Sequence, residues 1–279
     1  MLLAALGPAL LWIVPLPSGS ERRARSIAYR STTWWREWAL LWVAIMATSY
    51  AYFWAKLTIP LIAAGREVDS LLWRVDRILH FGNTPGLSLS QGMGVGWHLS
   101  LVDYAYGLWL TTLIGALIGM TASTSDTVRR SFISGCLLIW LGGGVLYQAL
   151  PARGPAFAYP SVGAELTRAM PIAAVTQSRL AKNDEKIRSG GESVLPRVNP
   201  TLGVAALPSL HVAFHAFFAG WAFRRRARVQ WLLGALTILT FIGSIRTGWH
   251  YAIDGYVGIG LAALVLWWVF PDEHGQQSP

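Results

Sequence analysis

His250 and Asp254 stand four residues apart in SIRTGWHYAIDGYVG (244–258). On a helix that spacing puts both on one face, where the carboxylate accepts a hydrogen bond from the imidazole Nδ1. A histidine oriented this way keeps one tautomer and offers Nε2 as a nucleophile or base. His211 follows Pro208 and Ser209 in AALPSLHVAFHAFF (205–218), at the expected start of a helix, where free N–H groups and the dipole favour phosphate or another anion. Arg153 lies between prolines in YQALPARGP (147–155), and its planar guanidinium matches phosphate oxygens. Two imidazoles, an orienting carboxylate and an arginine fork suit phosphoryl transfer.

The remaining histidines suggest less. His215 is four residues past His211, a spacing that also fits two metal ligands on one helical face, but no third ligand with matching spacing follows. A structural role is expected for it, and no metal or other cofactor is expected. His80 and His98 are expected to serve surface or packing roles, and Asp76 and Arg77 to pair with each other or with neighbouring charges, the alternative being that they border the head-group site. Trp249, beside His250, is a candidate wall for a lipid pocket.

The elements that must position these groups are apolar. Of 279 residues, 53% are hydrophobic and 13% charged, which points to a membrane protein. Uncharged runs cover Trp38–Ala55, Tyr104–Ser125, Ser131–Ala152, Val198–Phe223, Val229–Ile245 and Gly255–Pro271, most near or above the ~20 residues of a spanning helix. The expectation is an all-α, multi-pass bundle with six core spans over 37–271, between an apolar and basic segment (1–36) and a polar tail (272–279). Residues 1–17 are short, carry three prolines and lack the leading basic residues of a signal peptide; a seventh helix there is left open. The lone Cys136 excludes a disulfide within the chain.

A net charge of +9 could indicate nucleic acid, but the basic residues cluster between spans, so no nucleic-acid partner is expected. Arg22, Arg23, Arg25, Arg30 and Arg36, then Arg129 and Arg130, then RRRAR (224–228) fall on one side of a six-span serpentine. The positive-inside bias makes that side cytoplasmic, and Arg153, His211 and His250 then face outward. The segment 82–96 reads as a re-entrant or surface loop. The long outer loop from about 151 to 207 has seven basic against four acidic residues and reads either as solvated chain or as a funnel for an anionic substrate. Lys182–Arg188 is mixed in sign and is expected to be solvated. Trp34, Trp35, Trp38, Trp267 and Trp268 are expected in the interfacial belt.

The pieces around Arg153, PSLH (208–211) and HYAID (250–254) resemble, in this order and at these places, the three signatures of the type 2 phosphatidic acid phosphatase superfamily. That resemblance implies that His250 attacks phosphorus to form a phosphohistidine, Asp254 orients it, and His211 protonates the leaving alkoxide and then activates the acceptor. Arg153 would hold non-bridging oxygens, with Ser209 at the phosphate-facing turn. Two departures stand out: the family's first-signature Lys position is Leu146, and its third-signature Arg position is Ser244. Arg246, four before His250, is a candidate replacement for the second. The pattern Tyr-x-x-x-Pro-x-x-x-Pro (147–155), PSLH and His-Tyr-x-x-Asp-x-x-x-Gly (250–258), with WRVDRILHFGNTP (73–85), is more similar to the branch of inositol phosphorylceramide synthase and the sphingomyelin synthases. The resemblance spans roughly 70–270.

The expected activity is therefore transfer of a phosphoryl or phospho-head group on a phospholipid or lipid phosphate, at the extracytoplasmic face of the cell membrane. A lipid phosphate phosphatase is the alternative within the same chemistry. A non-enzymatic lipid or ion transporter is the alternative of another class, against which the charges lie at span ends. Oligomeric state is not legible.

Overall fold

Ser31 accepts the Trp34 N–H (3.4 Å) and starts α1 (Thr32–Ile62). The computed structural model describes residues 27–63 and 65–270; the segment 1–17, Arg22, Arg23, Arg25 and the tail 272–279 lie outside them. After α1 come α2 (Asp69–Leu79), α3 (Pro85–Met93), α4 (Trp97–Gly107), α5 (Trp109–Thr121) and α6 (Asp126–Ala149). Then follow α7 (Pro155–Ala158), α8 (Pro160–Leu166), α9 (Pro171–Gly190), two 3-10 turns, α10 (Leu210–Arg224), α11 (Gln230–Arg246) and α12 (Ala252–Val269). The described residues contain no strand, as the expected all-α class requires. Ser125 caps α6 through Val128 N–H, and Asp126 adds a favourable charge to its first turn.

Three helices, α1, α6 and α12, are long and apolar enough to cross a membrane, and a fourth span results if α4 and α5, bent by 44° at Leu108, count as one. The expectation of six spans is thus met in part. Helix α11 is apolar but has 17 residues, and α10 has 15; at about 1.5 Å per residue both fall short of a ~30 Å core. The run from Val198 forms only the 3-10 turn Pro200–Leu202 before α10 begins at Leu210, because Gly203 and Pro208 interrupt it. Its residues 203–209 are instead buried inside the protein.

Two of the expected loops are helical. Segment 82–96 contains α3, begun by Pro85 at its first position and ended at Gly94 with φ +58°. The region 151–207 contains α7, α8 and the 20-residue α9. The start of α9 is fixed by Asp103 of α4, which accepts the Ile172 and Ala173 N–H groups, each at 2.9 Å.

α1 and α6 run parallel: Glu37 meets Arg129 near their starts, and the Gln148 amide donates to the Ala55 carbonyl near their ends. α10 runs antiparallel to α6 and parallel to α12, with Trp221 in edge contact with Phe132 and in tilted contact with Phe270 at one end. Arg129, Arg130 and the 224–228 cluster accordingly gather at one end of the bundle, and Arg153, His211 and His250 belong to segments at the other. Trp35, Trp267 and Trp268 are exposed at the basic end, whereas Trp34 is buried against the Arg129 guanidinium.

Arg129 is fully buried between Glu37 (2.6 Å) and Asp126 (2.8 Å), while Glu37 also binds the exposed Arg130 (2.6 Å). Removing Glu37 leaves the buried Arg129 guanidinium with only the exposed Asp126 carboxylate, and breaking a buried pair from one side costs about 3 kcal/mol or more. Glu37→Ala is expected to lower the thermal unfolding midpoint of detergent-purified protein by several degrees, and Arg130→Ala, at the exposed partner, to change it little.

Candidate active site

Two acidic residues one heptad apart on α2 organise the site. Asp69 accepts the backbone N–H groups of Arg153 (3.0 Å) and Gly154 (2.9 Å) and the Tyr251 hydroxyl (2.9 Å). Asp76 accepts the N–H groups of Ala252 (2.7 Å) and Ile253 (2.9 Å), the first two residues of α12. Both carboxylates are buried. Burial pushes the Asp76 carboxyl above its ordinary range, against the pull of those two donors and of His80. Burial, with Asp69 beside it, likewise raises the Tyr251 phenol, which stays protonated and able to donate. The segments carrying Arg153 and His250 are thereby bound to one short helix.

Those segments also touch directly. Gly154 adopts φ +89°, and a Cβ there would lie 2.2 Å from the Trp249 carbonyl oxygen, so no side chain fits. Ala156 N–H donates to the Gly248 carbonyl (2.7 Å). On the other side, Gly258 lets α12 approach the start of α10, since a Cβ would come within 2.6 Å of the Ser209 carbonyl oxygen. Ser209 N–H donates to the Asp254 carbonyl (2.9 Å). The glycine that closes the motif 250–258 is thus a packing requirement.

His211 and His250 meet at this junction, with ring centroids 5.6 Å apart. His250 is buried and its Nδ1 donates to the Ala206 carbonyl at 2.7 Å. Asp254 Oδ2 is 3.5 Å from the same nitrogen and accepts the Tyr251 N–H at 2.8 Å. Nδ1 therefore has the Ala206 carbonyl as its nearer acceptor and the expected partner, Asp254, as a second one farther off. The reason is where the helix begins: α12 starts at Ala252 with Tyr251 as its N-cap, so His250 precedes the helix and the four-residue face rule does not reach it. Asp254, at the third helical position, closes the return half of a capping box and keeps its charge beside the imidazole. Either acceptor at Nδ1 leaves Nε2 as the free nitrogen.

His211 is half-buried in the first turn of α10, flanked by Trp109 (4.4 Å between ring centroids) and Tyr106 (5.1 Å). The Tyr106 hydroxyl lies 3.5 Å from its Nδ1. Ser209 is the N-cap of α10, yet its hydroxyl caps nothing and has no partner although buried. A buried hydroxyl without a partner is costly unless something else binds it. His215 is buried, with Nδ1 3.0 Å from the His211 carbonyl and 3.3 Å from Thr240 Oγ1, the structural role expected. No group of three metal-ligating side chains occurs among the described residues.

The two arginines are already engaged. Arg153 Nη2 binds Asp184 (2.6 Å), which also accepts Arg188 Nε (3.0 Å), and Arg188 reaches Glu67 (3.0 Å). Lys182–Arg188, expected to be solvated, thus contains a buried anion, Asp184, that holds the site arginine. Arg246 is buried and its Nη1 donates to the Leu166 carbonyl. Asp76, expected to pair with Arg77 or another charge, holds the N-terminus of α12 instead, while Arg77 donates to the Gly82 carbonyl (3.1 Å). The Trp249 indole donates to Gln177 (3.1 Å) and packs on Tyr106 (5.3 Å between centroids).

His211, Ser209, His250 and Asp254 are thus brought together, on the end of the bundle away from the basic clusters. A family model of the PAP2 superfamily matches residues 70–268, well over half of the chain. This chain belongs to the PAP2 superfamily. No curated protein and no solved structure matches it significantly. The matched region begins one residue after Asp69, includes Asp76, and has the motif of His250 and Asp254 near its end. Sequence reasoning passed over Asp69, Asp103, Tyr106, Trp109, Asp184 and the Ala206 carbonyl. Asp69 and Asp76 did leave a signal, since seven residues on an amphipathic helix return to one face; a backbone carbonyl leaves none.

A shift of about 1 Å in a reacting group can cost ~100-fold in rate. In this PAP2 protein Gly154→Ala must move the Trp249–His250 backbone, so turnover of a lipid phosphate is expected to fall at least that far while the protein still inserts into membranes. Asp69→Ala leaves three buried donors without an acceptor, at about 1–3 kcal/mol each, and is expected to lower the unfolding midpoint far more than Asp69→Asn.

Proposed function

We propose that the chain is a membrane enzyme that transfers a phospho-head group from a donor phospholipid to a lipid alcohol at the extracytoplasmic face, through a phosphohistidine on His250. The observation that carries this reading is the approach of His211 and His250 to 5.6 Å beside an unpartnered, buried Ser209 hydroxyl at the start of α10. Nε2 of His250 attacks phosphorus as the donor's P–O bond breaks, and His211 gives its proton to the departing lipid alkoxide. His211 then takes the proton of the acceptor hydroxyl, whose oxygen displaces His250 and restores both histidines. The N–H groups of the first α10 turn and Ser209 bind the non-bridging oxygens. Arg153 and Arg246 join them by exchanging Asp184 and the Leu166 carbonyl for substrate. Asp254 holds negative charge next to the imidazole as it becomes cationic.

The aromatic wall of Trp109, Tyr106 and Trp249 around His211 favours an acceptor that arrives on an apolar chain over bulk water. So does the resemblance to the inositol phosphorylceramide synthase branch. The basic end of the bundle supports the orientation, since basic residues favour the cytoplasmic side.

Purified His250→Ala is expected to lose at least 1,000-fold in turnover of labelled phospholipid, and undiminished activity would falsify the mechanism. Incubation of wild type with and without lipid alcohols separates the two outcomes. An acceptor-dependent new lipid supports transfer, whereas acceptor-independent release of phosphate or phospho-alcohol makes the enzyme a phosphatase.

A further inference from the structure

His250 has two groups to orient it, the Ala206 carbonyl and Asp254, but neither serves His211. Among the described residues the one hydrogen-bond partner of the His211 ring is the Tyr106 hydroxyl, 3.5 Å from Nδ1. That is longer than an ordinary hydrogen bond, as pairs in catalytic sites often are before substrate tightens them. Tyr106 lies in the last turn of α4 and Trp109 opens α5, so the 44° bend between the two helices turns both rings onto His211.

The hydroxyl is held where it is by the packing of its ring. Tyr106 is buried, and a Cβ on Gly243 of α11 would lie 2.8 Å from Tyr106 Cβ, so the two helices meet there with no side chain between them. Trp249 packs edge-on against the ring, 5.3 Å between centroids, and its indole is held by Gln177 of α9 at 3.1 Å. The start of α9 is in turn fixed by Asp103, three residues before Tyr106 on α4. These contacts close a circuit from Asp103 through α9, Gln177 and Trp249 back to Tyr106. A supporting group locked in this way holds a reacting side chain in one orientation.

We propose that Tyr106 is a positioning residue for His211: its oxygen accepts the Nδ1 hydrogen and leaves Nε2 as the nitrogen that gives and takes the proton of the lipid oxygen. The inference rests on the function proposed above and deepens it, because it supplies the general acid and base with an orienting partner of its own. In the first half-reaction the His211 imidazolium keeps its Nδ1 hydrogen on Tyr106 while the Nε2 hydrogen passes to the departing alkoxide. In the second, Nε2 takes the hydrogen of the acceptor hydroxyl and the imidazolium is restored. Tyr106 itself gains and loses no proton.

The test compares wild type with Tyr106→Phe, which keeps the ring and removes the hydroxyl, on two substrates. A labelled phospholipid has an alkoxide leaving group that needs a proton, whereas p-nitrophenyl phosphate releases a nitrophenolate that needs none. Tyr106→Phe is expected to lower kcat for the phospholipid at least tenfold, part of the ~100-fold or more that a general acid contributes, with KM and first-turnover release of nitrophenolate changed by less than about twofold. Equal losses on both substrates mark a packing role and overturn the proposal, and so does no loss on either. A second readout needs no turnover. In protein carrying nitrogen-15-labelled histidine, at a pH where the ring is neutral, the His211 signals are identified by their loss in His211→Asn. The hydrogen is expected on Nδ1 in wild type and on Nε2 in Tyr106→Phe. Wild type with the Nδ1 hydrogen and no turnover keeps Tyr106 as the partner of His211 and rejects the enzyme reading; turnover with the same tautomer in both proteins does the reverse.

Discussion

The carboxylate of Asp69 is the point on which the site's geometry depends. It ties the Arg153–Gly154 backbone to Tyr251, joining the end of α6 to the start of α12 across more than eighty residues on one side and more than 180 on the other. A buried carboxylate is expensive, and three convergent donors are what make it tolerable. Because those donors come from separate segments, displacing any one of them leaves the others underused, so the anchor couples the segments to each other. Asp76 repeats the arrangement two turns later on the first N–H groups of α12. Catalysis by positioned imidazoles needs this stiffness, since the histidines themselves sit just before or just inside helix ends, where a chain is least constrained.

Helix starts also explain what could be read in the sequence. The PSLH turn was legible because Pro208 and Ser209 mark a helix entrance, and α10 begins at Leu210. The His250–Asp254 pair was legible as a motif, but the nearer acceptor at Nδ1 was not. Periodicity treats both residues as helical, and the chain turns helical two residues after His250. That nearer acceptor, the Ala206 carbonyl, belongs to an irregular stretch of chain that local pattern does not describe. The bundle itself was legible from its uncharged runs. What was not legible is how those runs divide: Leu108 bends one, and prolines and Gly203 keep the first part of another out of helix and pack it inside.

Charge was the least legible feature. Asp184 stands in a run of mixed sign that a solvated helix face would also show, yet tertiary packing buries it against Arg153 and Arg188. A count of basic over acidic residues allowed either solvated chain or an anionic funnel, and two of those seven basic residues, Arg153 and Arg188, are held by Asp184 and Glu67. In the proposed function, phosphate is met by helix-terminal N–H groups, the unpartnered Ser209 hydroxyl and cations released from their partners, more than by a standing positive field.

Nε2 of His250 is the atom proposed to take the phosphoryl group. The most direct measurement mixes wild-type protein with a phospholipid labelled at phosphorus, quenches rapidly at alkaline pH to preserve a P–N bond, and locates the label by peptide mass spectrometry. The account predicts label on His250 that is lost when a lipid alcohol is added before the quench. Label on His211, or a complete turnover in which no protein-bound phosphorus ever appears, contradicts it.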